Sequence, residues 1–298
     1  MNLLPFLSIV LACIIWGLSP FFYKLLDGIN AEIIMAFRII FSLFFLLLML
    51  FFQKKNFFIQ KKTFLLIFVA SFMIGINQFG FIYSISVKQV LQSSFAYFIF
   101  PLISVVFGMF FLNEYLNKTQ ITAVLFAIVS ISLLSLGMES IPTISIVMGV
   151  TFAIYGLLKK NMNLDPLRTV ALEIAILSPL AIFFLLFMII YFPQHIQNLT
   201  YYNYTILLLS GFITAVPLWL FSMATLKLKY STIGMINYLN PSIQFLIAIT
   251  IFSEPFTSLH LFSFLIIWLS LVLYSFNSIR PSFVRSEKIS STESNTLK

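Results

Sequence analysis

The stretch Ser94–Glu114, SFAYFIFPLISVVFGMFFLNE, has a counterpart in Gly234–Glu254, GMINYLNPSIQFLIAITIFSE. Pro101 of the first stretch recurs as Pro241 of the second, 140 residues later, and both stretches end in glutamate. Each stretch is long, apolar and interrupted near its middle by proline. This recurrence indicates that the second half of the chain repeats the first.

A second pair of positions supports the repeat. When the second half is aligned with the first at a shift of 135 residues, Lys159 aligns with Lys24 and Glu173 aligns with Arg38. We count five membrane spans in each half, and an odd number turns the second copy upside down in the bilayer. Inverted repeats of this kind build secondary transporters around a site near the bilayer midplane.

The composition places the chain in a membrane. Hydrophobic side chains make up 61% of the 298 residues and charged ones only 9%, with a mean hydropathy of +1.06. Continuous apolar runs of about 20 residues favour membrane-spanning helices over the alternating strands of a barrel. The ten predicted spans are 4–23, 33–52, 64–83, 90–112, 120–136, 143–158, 170–192, 205–226, 231–252 and 258–276.

The net charge of +8 is interpreted as membrane topology rather than as a sign of nucleic-acid binding. Lysine and arginine mark the cytoplasmic side of a membrane protein. With a cytoplasmic N-terminus, all basic residues except Lys24, Arg38 and Lys88 fall on the cytoplasmic side. Both termini are therefore predicted to be cytoplasmic, and residues 278–298, rich in Ser, Thr and charge, are predicted to form a disordered tail.

Several local motifs resemble one known family. They are EIIMAFR (32–38), SFAYFIFPL (94–102), YGLLKK (155–160), Leu172 with Glu173, YSTIGMINYLNPS (230–242) and Glu254. Over roughly residues 1 to 277 the chain resembles the RarD type of EamA permeases, in the drug/metabolite transporter superfamily. The resemblance implies an all-α membrane protein of ten helices in two inverted five-helix repeats, residues 1–138 and 139–277. It also implies a central cavity lined mainly by the third, fourth, eighth and ninth spans.

The chain departs from that family at a few positions. Phe37 stands where the family usually has His, and Asn237 stands where it has Gln. Asn113 and Ser253 stand where it has Gly, directly before the two glutamates that end the repeated stretches.

Arg38 and Glu173 are the first candidates for gating or coupling. A charged side chain within a bilayer costs about 2.5 to 3.5 kcal/mol on the insertion scale. Arg38 lies about five residues past the outer start of the second span, or roughly 8 Å deep at 1.5 Å per residue. Glu173 lies near the inner start of the seventh span, so we assign each residue to a different gate. The alternative is that Arg38 snorkels to the interface and Glu173 caps its helix.

Pro101 and Pro241 are candidate kink residues. A proline inside a helix frees the carbonyl one turn earlier, here those of Tyr97 and Asn237. Such acceptors are tolerated at membrane depth where they face protein or a watery cavity, so Tyr97, Asn237 and Tyr238 are candidate substrate-binding residues. A packing kink without a ligand is the alternative.

The remaining candidates for substrate binding are polar or aromatic side chains in mid-span: Asn77, Gln78, Gln244, Trp16 and Trp219. Amides also hold helices together, at about 0.6 kcal/mol per hydrogen bond in one measured bundle. Aromatic packing is the alternative for the tryptophans. Glu114 and Glu254 are interpreted as caps of the helices that follow them rather than as proton carriers.

Other chemistry finds no support in the sequence. Cys13 stands alone, and His195 and His260 are too few and too far apart to predict a metal site, so neither a metal nor a cofactor is expected. No phosphate-binding loop or hydrolase motif is present, which argues against direct use of ATP and against an enzyme.

These features predict a secondary transporter that moves a small polar or amphipathic metabolite or drug across the bacterial cytoplasmic (inner) membrane by alternating access, with export as the favoured direction. Uptake or exchange by the same fold is the alternative, followed by a lipid-linked-group translocase or a membrane-embedded enzyme. The predicted partners are a small-molecule substrate and membrane lipid, with protons as a candidate coupling ion and no nucleic acid. A monomer or a homodimer is expected.

Overall fold

The computed structural model describes residues 3–57, 61–136, 143–162, 164–253 and 257–274, and the regular elements among them are α-helices. They are α1 (Leu3–Lys24), α2 (Ala31–Phe52), α3 (Lys61–Ser86), α4 (Val90–Leu112), α5 (Lys118–Leu136), α6 (Thr143–Met162), α7 (Pro166–Tyr191), α8 (Pro193–Gln197), α9 (Tyr201–Lys227), α10 (Tyr230–Ile236), α11 (Leu239–Thr250) and α12 (Ser258–Tyr274).

The predicted all-helical membrane fold is confirmed. Within the described part of the chain, α1 to α7 and α9 are each long and apolar enough to cross a membrane. Two further predicted spans are occupied by shorter helices, the ninth by α10 with α11 and the tenth by α12. The short helix α8 was not expected. The boundary between the two proposed repeats lies outside the described residues, and so does the predicted tail.

The ninth span is a broken helix rather than a kinked one. α10 ends at Ile236 and α11 begins at Leu239, so Pro241 lies in the first turn of a new helix. The missing N–H of a proline costs nothing there, because first-turn N–H groups have no partner within their helix. The Asn237 carbonyl accepts a hydrogen bond from the Asn240 N–H at 3.1 Å. The expectation of a freed carbonyl at Asn237 is therefore wrong, whereas Pro101 does lie inside the continuous helix α4.

Helices at equivalent positions in the two proposed halves have equivalent packing partners. α1 packs against α9 and α11, as α6 packs against α3 and α4. α2 packs against α9, as α7 packs against α3, and α2 and α7 also pack against each other. This pairing is the pattern that the proposed internal repeat requires.

The residues before the two glutamates have a left-handed backbone. Asn113 has φ of 51° and Ser253 has φ of 54°, and the two positions differ by the same shift of 140. At the end of α4 this conformation lets the Glu114 N–H donate to the Gly108 carbonyl at 2.9 Å, a common helix stop. Glycine adopts the left-handed region without strain, so the backbone at Asn113 and Ser253 favours glycine, the residue that the resemblance implies at both positions.

Loops that carry most of the basic residues meet at one end of the bundle, which we call the basic end. Lys55 and Asp165, from two different loops, form an ion pair of 2.6 Å there, and Lys160 donates to the Leu228 carbonyl at 2.6 Å. Asp165 also caps α7 by accepting from the Arg168 N–H. Partial burial opposes ionisation, but the hydrogen bonds from Lys55 and from that N–H hold the pKa of the Asp165 carboxyl below its ordinary value.

We predict that Ser253→Gly stabilises the protein and that Ser253→Val destabilises it. A left-handed backbone costs an ordinary residue about 1 to 2 kcal/mol, which glycine avoids and a β-branched residue increases. The measurement is thermal unfolding of the detergent-purified protein. Ser132→Gly, in the right-handed helix α5, is the matched control and is expected to destabilise by about 0.5 to 1 kcal/mol. Equal losses for Ser253→Gly and Ser132→Gly would contradict the strain argument.

Candidate functional site

A small cavity of ≈ 20 Å³ lies in the middle of the bundle, and we call it the central cavity. Six of the predicted site residues line it, together with three apolar side chains: Trp16, Arg38, Asn77, Gln78, Tyr97 and Gln244, with Ile74, Phe81 and Phe152. Its volume is enough for about one water molecule. The structure therefore gathers these predicted polar groups around one cavity, and that cavity is almost closed.

Arg38 is a buried cation in this cavity, with only 4% of its surface exposed. Its Nε donates to the Thr214 hydroxyl, and its guanidinium carbon lies 5.3 Å from the centre of the Tyr23 ring. Its Nη1 is buried without a hydrogen-bond partner. Among the described residues, no carboxylate lies within ion-pair distance of Arg38.

The amides of the cavity hold helices together and also face the cavity. Asn77 donates from Nδ2 to the Met148 carbonyl at 2.8 Å and accepts from the Tyr97 hydroxyl at 3.3 Å. It thereby connects α3 to α6 and α4. Gln244 donates to Asn240 Oδ1 at 2.9 Å and accepts from Ser93 Oγ at 3.4 Å. The geometry therefore shows these amides holding helices together, and substrate binding by them stays a prediction.

Aromatic rings close the cavity toward the basic end, and we call this layer the aromatic floor: Trp16, Phe152, Tyr155 and Phe221. The Phe152 ring centre lies 5.5 Å from that of Trp16 and 5.1 Å from that of Phe221. Tyr155 stacks on Phe221 at 6.0 Å. Trp16 and Phe152 line the cavity, so this layer lies between the cavity and the charged groups beyond it.

Beyond the floor lies a buried ion pair between Lys159 and Glu173, with an Nζ–Oε1 distance of 2.8 Å. The side chains are only 3% and 1% exposed. Lys159 also donates to Thr169 Oγ1 at 2.6 Å, and the Tyr155 hydroxyl donates to Glu173 at 3.0 Å. Tyr155 thus connects the aromatic floor to the ion pair. Glu173 and Arg38 do not form an ion pair in the described part of the chain, and their assignment to different gates stays a prediction.

Three predicted substrate-binding residues do not line the central cavity. Asn237 is fully buried and accepts from the Cys13 thiol at 3.3 Å. Tyr238 stacks near Phe98, with ring centres 6.1 Å apart, in a separate apolar cluster. Trp219 is half-buried against the main core. The lining also differs from the implied one, because α9 contributes no lining side chain while α1, α2 and α6 do.

A larger cavity of ≈ 480 Å³ opens at the opposite end of the bundle, and we call it the vestibule. Its charged lining residues are Lys24, Asp27, Glu32 and Lys88. Tyr23 lines the vestibule and Phe81 lines the central cavity, with ring centres 6.1 Å apart. This aromatic pair therefore lies between the two cavities, whereas the floor and the ion pair lie on the side of the basic end.

Glu114 is a helix cap, but for a different helix from the one expected. Its carboxylate accepts from the N–H groups of Tyr230 and Ser231 at 2.6 and 2.9 Å, and from the Ser231 hydroxyl at 2.6 Å. It therefore caps α10, whereas α5 is capped by reciprocal bonds of 2.9 Å between Asn117 and Gln120. Glu254 lies outside the described residues.

Sequence reasoning did not identify Lys159 as the partner of Glu173. A signal was present, because Lys159 ends an apolar span and is the repeat equivalent of Lys24. Among the described residues, no group of three or more His, Cys, Asp or Glu side chains could hold a metal ion.

Comparisons with known proteins agree with this architecture. Residues 3–136 match the EamA-like transporter family. The chain is 34% identical to "Uncharacterized transporter YojE" of Bacillus subtilis (strain 168), over 90% of this chain and 92% of that protein. It is 30% identical to "Protein RarD" of Escherichia coli (strain K12), again over 90% of this chain and 92% of that protein.

A solved crystal structure has the same fold at low identity. It superposes with a TM-score of 0.71 over 91% of this chain and 98% of its own, at 10% sequence identity. The full-length similarity to named transporters, together with the family match, establishes the relationship. The chain belongs to the EamA-like transporter family.

Proposed function

We propose that this chain is a secondary transporter that moves a small polar or amphipathic organic molecule by alternating access to the central cavity. The observation that carries the proposal is the position of that cavity. Its buried polar groups lie between an open vestibule and a sealed basic end. The barrier between the site and the vestibule is thin, and the barrier between the site and the basic end is thick. This arrangement is expected of an alternating-access carrier in a state with one end closed.

The barrier at the basic end has two layers, the aromatic floor and the Lys159–Glu173 pair. Opening this end requires the rings to separate and the ion pair to break or move as a unit. Tyr155 belongs to both layers, since its ring packs in the floor and its hydroxyl holds Glu173. A movement of the aromatic floor would therefore move the ion pair as well, and the reverse holds.

The barrier at the vestibule end lacks the corresponding ion pair. The repeat equivalents of Lys159 and Glu173 are Lys24 and Arg38, and two cations cannot form a salt bridge. Lys24 instead donates to the Ile251 carbonyl at 2.6 Å. The weaker closure of this end supports the vestibule as the open side of the present state.

We assign the basic end to the cytoplasm, because lysine and arginine are enriched on that side of bacterial membrane proteins. The vestibule would then face outward, with both chain termini inside. Export is the proposed direction, on the resemblance to drug/metabolite transporters. Uptake or exchange would use the same cavity. Glu173 is the proposed carrier of a coupled proton.

We predict that breaking the buried ion pair destabilises the protein far more than breaking the exposed one. Lys159→Met leaves the Glu173 carboxylate buried and unpaired, which costs about 3 to 5 kcal/mol, and the double variant Lys159→Met/Glu173→Leu recovers most of the loss. Lys55→Met is the control, because its partly exposed pair contributes about 0 to 1 kcal/mol. Thermal unfolding measures all three. A Lys159→Met variant as stable as Lys55→Met would contradict the proposed barrier.

Transport itself is tested in proteoliposomes with a panel of labelled amino acids, nucleosides, organic acids and chloramphenicol. We expect wild-type protein to carry at least one class, and Arg38→Ala and Glu173→Gln to lose that flux while still inserting into the membrane. If Glu173 carries a proton, an imposed pH gradient drives wild-type flux and no longer drives flux in Glu173→Gln. Wild-type flux in both variants would remove these residues from the mechanism.

A further inference from the structure

We propose that the central cavity binds the carboxylate of a monoanionic substrate through Arg38. This inference rests on the proposed function and names the substrate class for the same site. It is carried by the contrast between two buried cations, one with a carboxylate partner and one without.

The first step is the cost of burying a charge. Lys159 and Arg38 are 3% and 4% exposed, so both have left water almost completely. Lys159 is compensated by Glu173, with Thr169 as a further hydrogen-bond partner. Arg38 has no such partner among the described residues. A buried cation without a counter-ion is strongly unfavourable, so a site that retains one is expected to receive an anion.

The second step concerns the hydrogen-bond donors of Arg38. In the part of the chain that the structure describes, only Nε has a hydrogen-bond partner, the Thr214 hydroxyl, which itself donates to the Ser210 carbonyl at 2.8 Å. The Tyr23 ring packs against the guanidinium, while Nη1 has no partner. A guanidinium fixed in this way can offer parallel N–H groups to a carboxylate, which is the geometry that arginine recognises best.

The third step fixes the charge of the substrate. Within the described ranges, Arg38 is the only charged residue that lines the central cavity, and the proposed repeat makes it equivalent to Glu173 of the second half. A single negative charge would neutralise the site, whereas a dianionic phosphate ester would leave one negative charge buried. A carboxylate therefore fits better than a phosphate.

The fourth step describes the rest of the substrate. Trp16, Phe81 and Phe152 form apolar walls, and the amides of Gln78 and Gln244 lie among them. These walls suit a short apolar or aromatic body with one or two polar groups. The cavity must widen to accept it, and the displacement of Tyr23 and Phe81 would join it to the vestibule.

The first test needs no knowledge of the natural substrate. Arg38→Met removes the uncompensated charge and keeps the length of the side chain, so the apo protein in detergent is expected to melt at the same temperature as wild type or higher. Lys159→Met is the matched control and is expected to melt lower, because it creates an unpaired carboxylate. An apo Arg38→Met variant that melts below wild type would show a structural role for Arg38 and overturn the proposal.

The second test uses ligands that share one body and differ in charge: phenylacetate, phenylacetamide, phenethylamine and phenyl phosphate. Phenylacetate is expected to raise the melting temperature of the wild-type protein saturably, the other three to have less effect, and Arg38→Met to abolish the shift. Absence of a phenylacetate shift, its survival in Arg38→Met, or an equal shift with another member would overturn the proposal.

The two proposals fail in different ways. An Arg38-dependent phenylacetate shift without flux of any compound in proteoliposomes would leave the anion site standing and overturn the transporter function. Flux of a neutral or cationic compound that persists in Arg38→Met would leave the transporter standing and overturn the anion site.

Discussion

Charge buried inside the membrane-spanning bundle is the constraint on which the rest of this structure depends. The described part of the chain buries both Lys159 and Arg38, and it supplies a carboxylate for only one of them. The Lys159–Glu173 pair, with Tyr155 and Thr169 as further partners, closes one end of the bundle. Arg38 remains in the central cavity, held by a hydroxyl and an aromatic ring. We propose that the paired charge forms a barrier and that the unpaired charge forms a binding site.

The proposed internal repeat would explain how one scaffold has a charge with a partner in one half and a charge without a partner in the other. Helix contacts exchange between the halves, and left-handed residues recur at Asn113 and Ser253. These recurrences support the proposed repeat. Of its two pairs of equivalent charged positions, Lys24 and Lys159 are the same residue, whereas Arg38 and Glu173 have opposite charges. Lys159 and Glu173 form an ion pair, whereas Lys24 and Arg38 have the same charge and cannot form one. We propose that the asymmetry between a closed basic end and an open vestibule arises at one of these equivalent positions, where the first half has Arg38 and the second has Glu173.

Much of the fold follows from hydropathy, because a bilayer demands long apolar helices with internally satisfied backbones. The break in the ninth span did not follow, since a proline in an apolar run is compatible with a kink and with the first turn of a new helix. The contact of Glu114 with α10 was also inaccessible, because it joins residues 116 positions apart in sequence. Local sequence shows that a cap exists but does not show which helix it serves.

The candidate site was partly predictable for a similar reason. Polar side chains in mid-span are few, so Arg38, Asn77 and Gln244 stood out, and the structure gathers them in one cavity. Aromatic residues gave a weaker signal. With 37 phenylalanines in the chain, nothing local distinguishes Trp16, which lines the cavity, from Trp219 and Tyr238, which do not. Helix rotation decides that difference, and only tertiary packing sets the rotation.

The central claim is that the two ends of the bundle open in alternation, and paired spin-label distances in lipid nanodiscs test it most directly. In a Cys13→Ser background, which removes the single cysteine, labels at positions 88 and 198 report the vestibule end and labels at 56 and 229 report the basic end. Removing the ion pair with Lys159→Met/Glu173→Leu is expected to lengthen the basic-end distance and shorten the vestibule distance together. A change at one end alone, or at neither, would contradict the account.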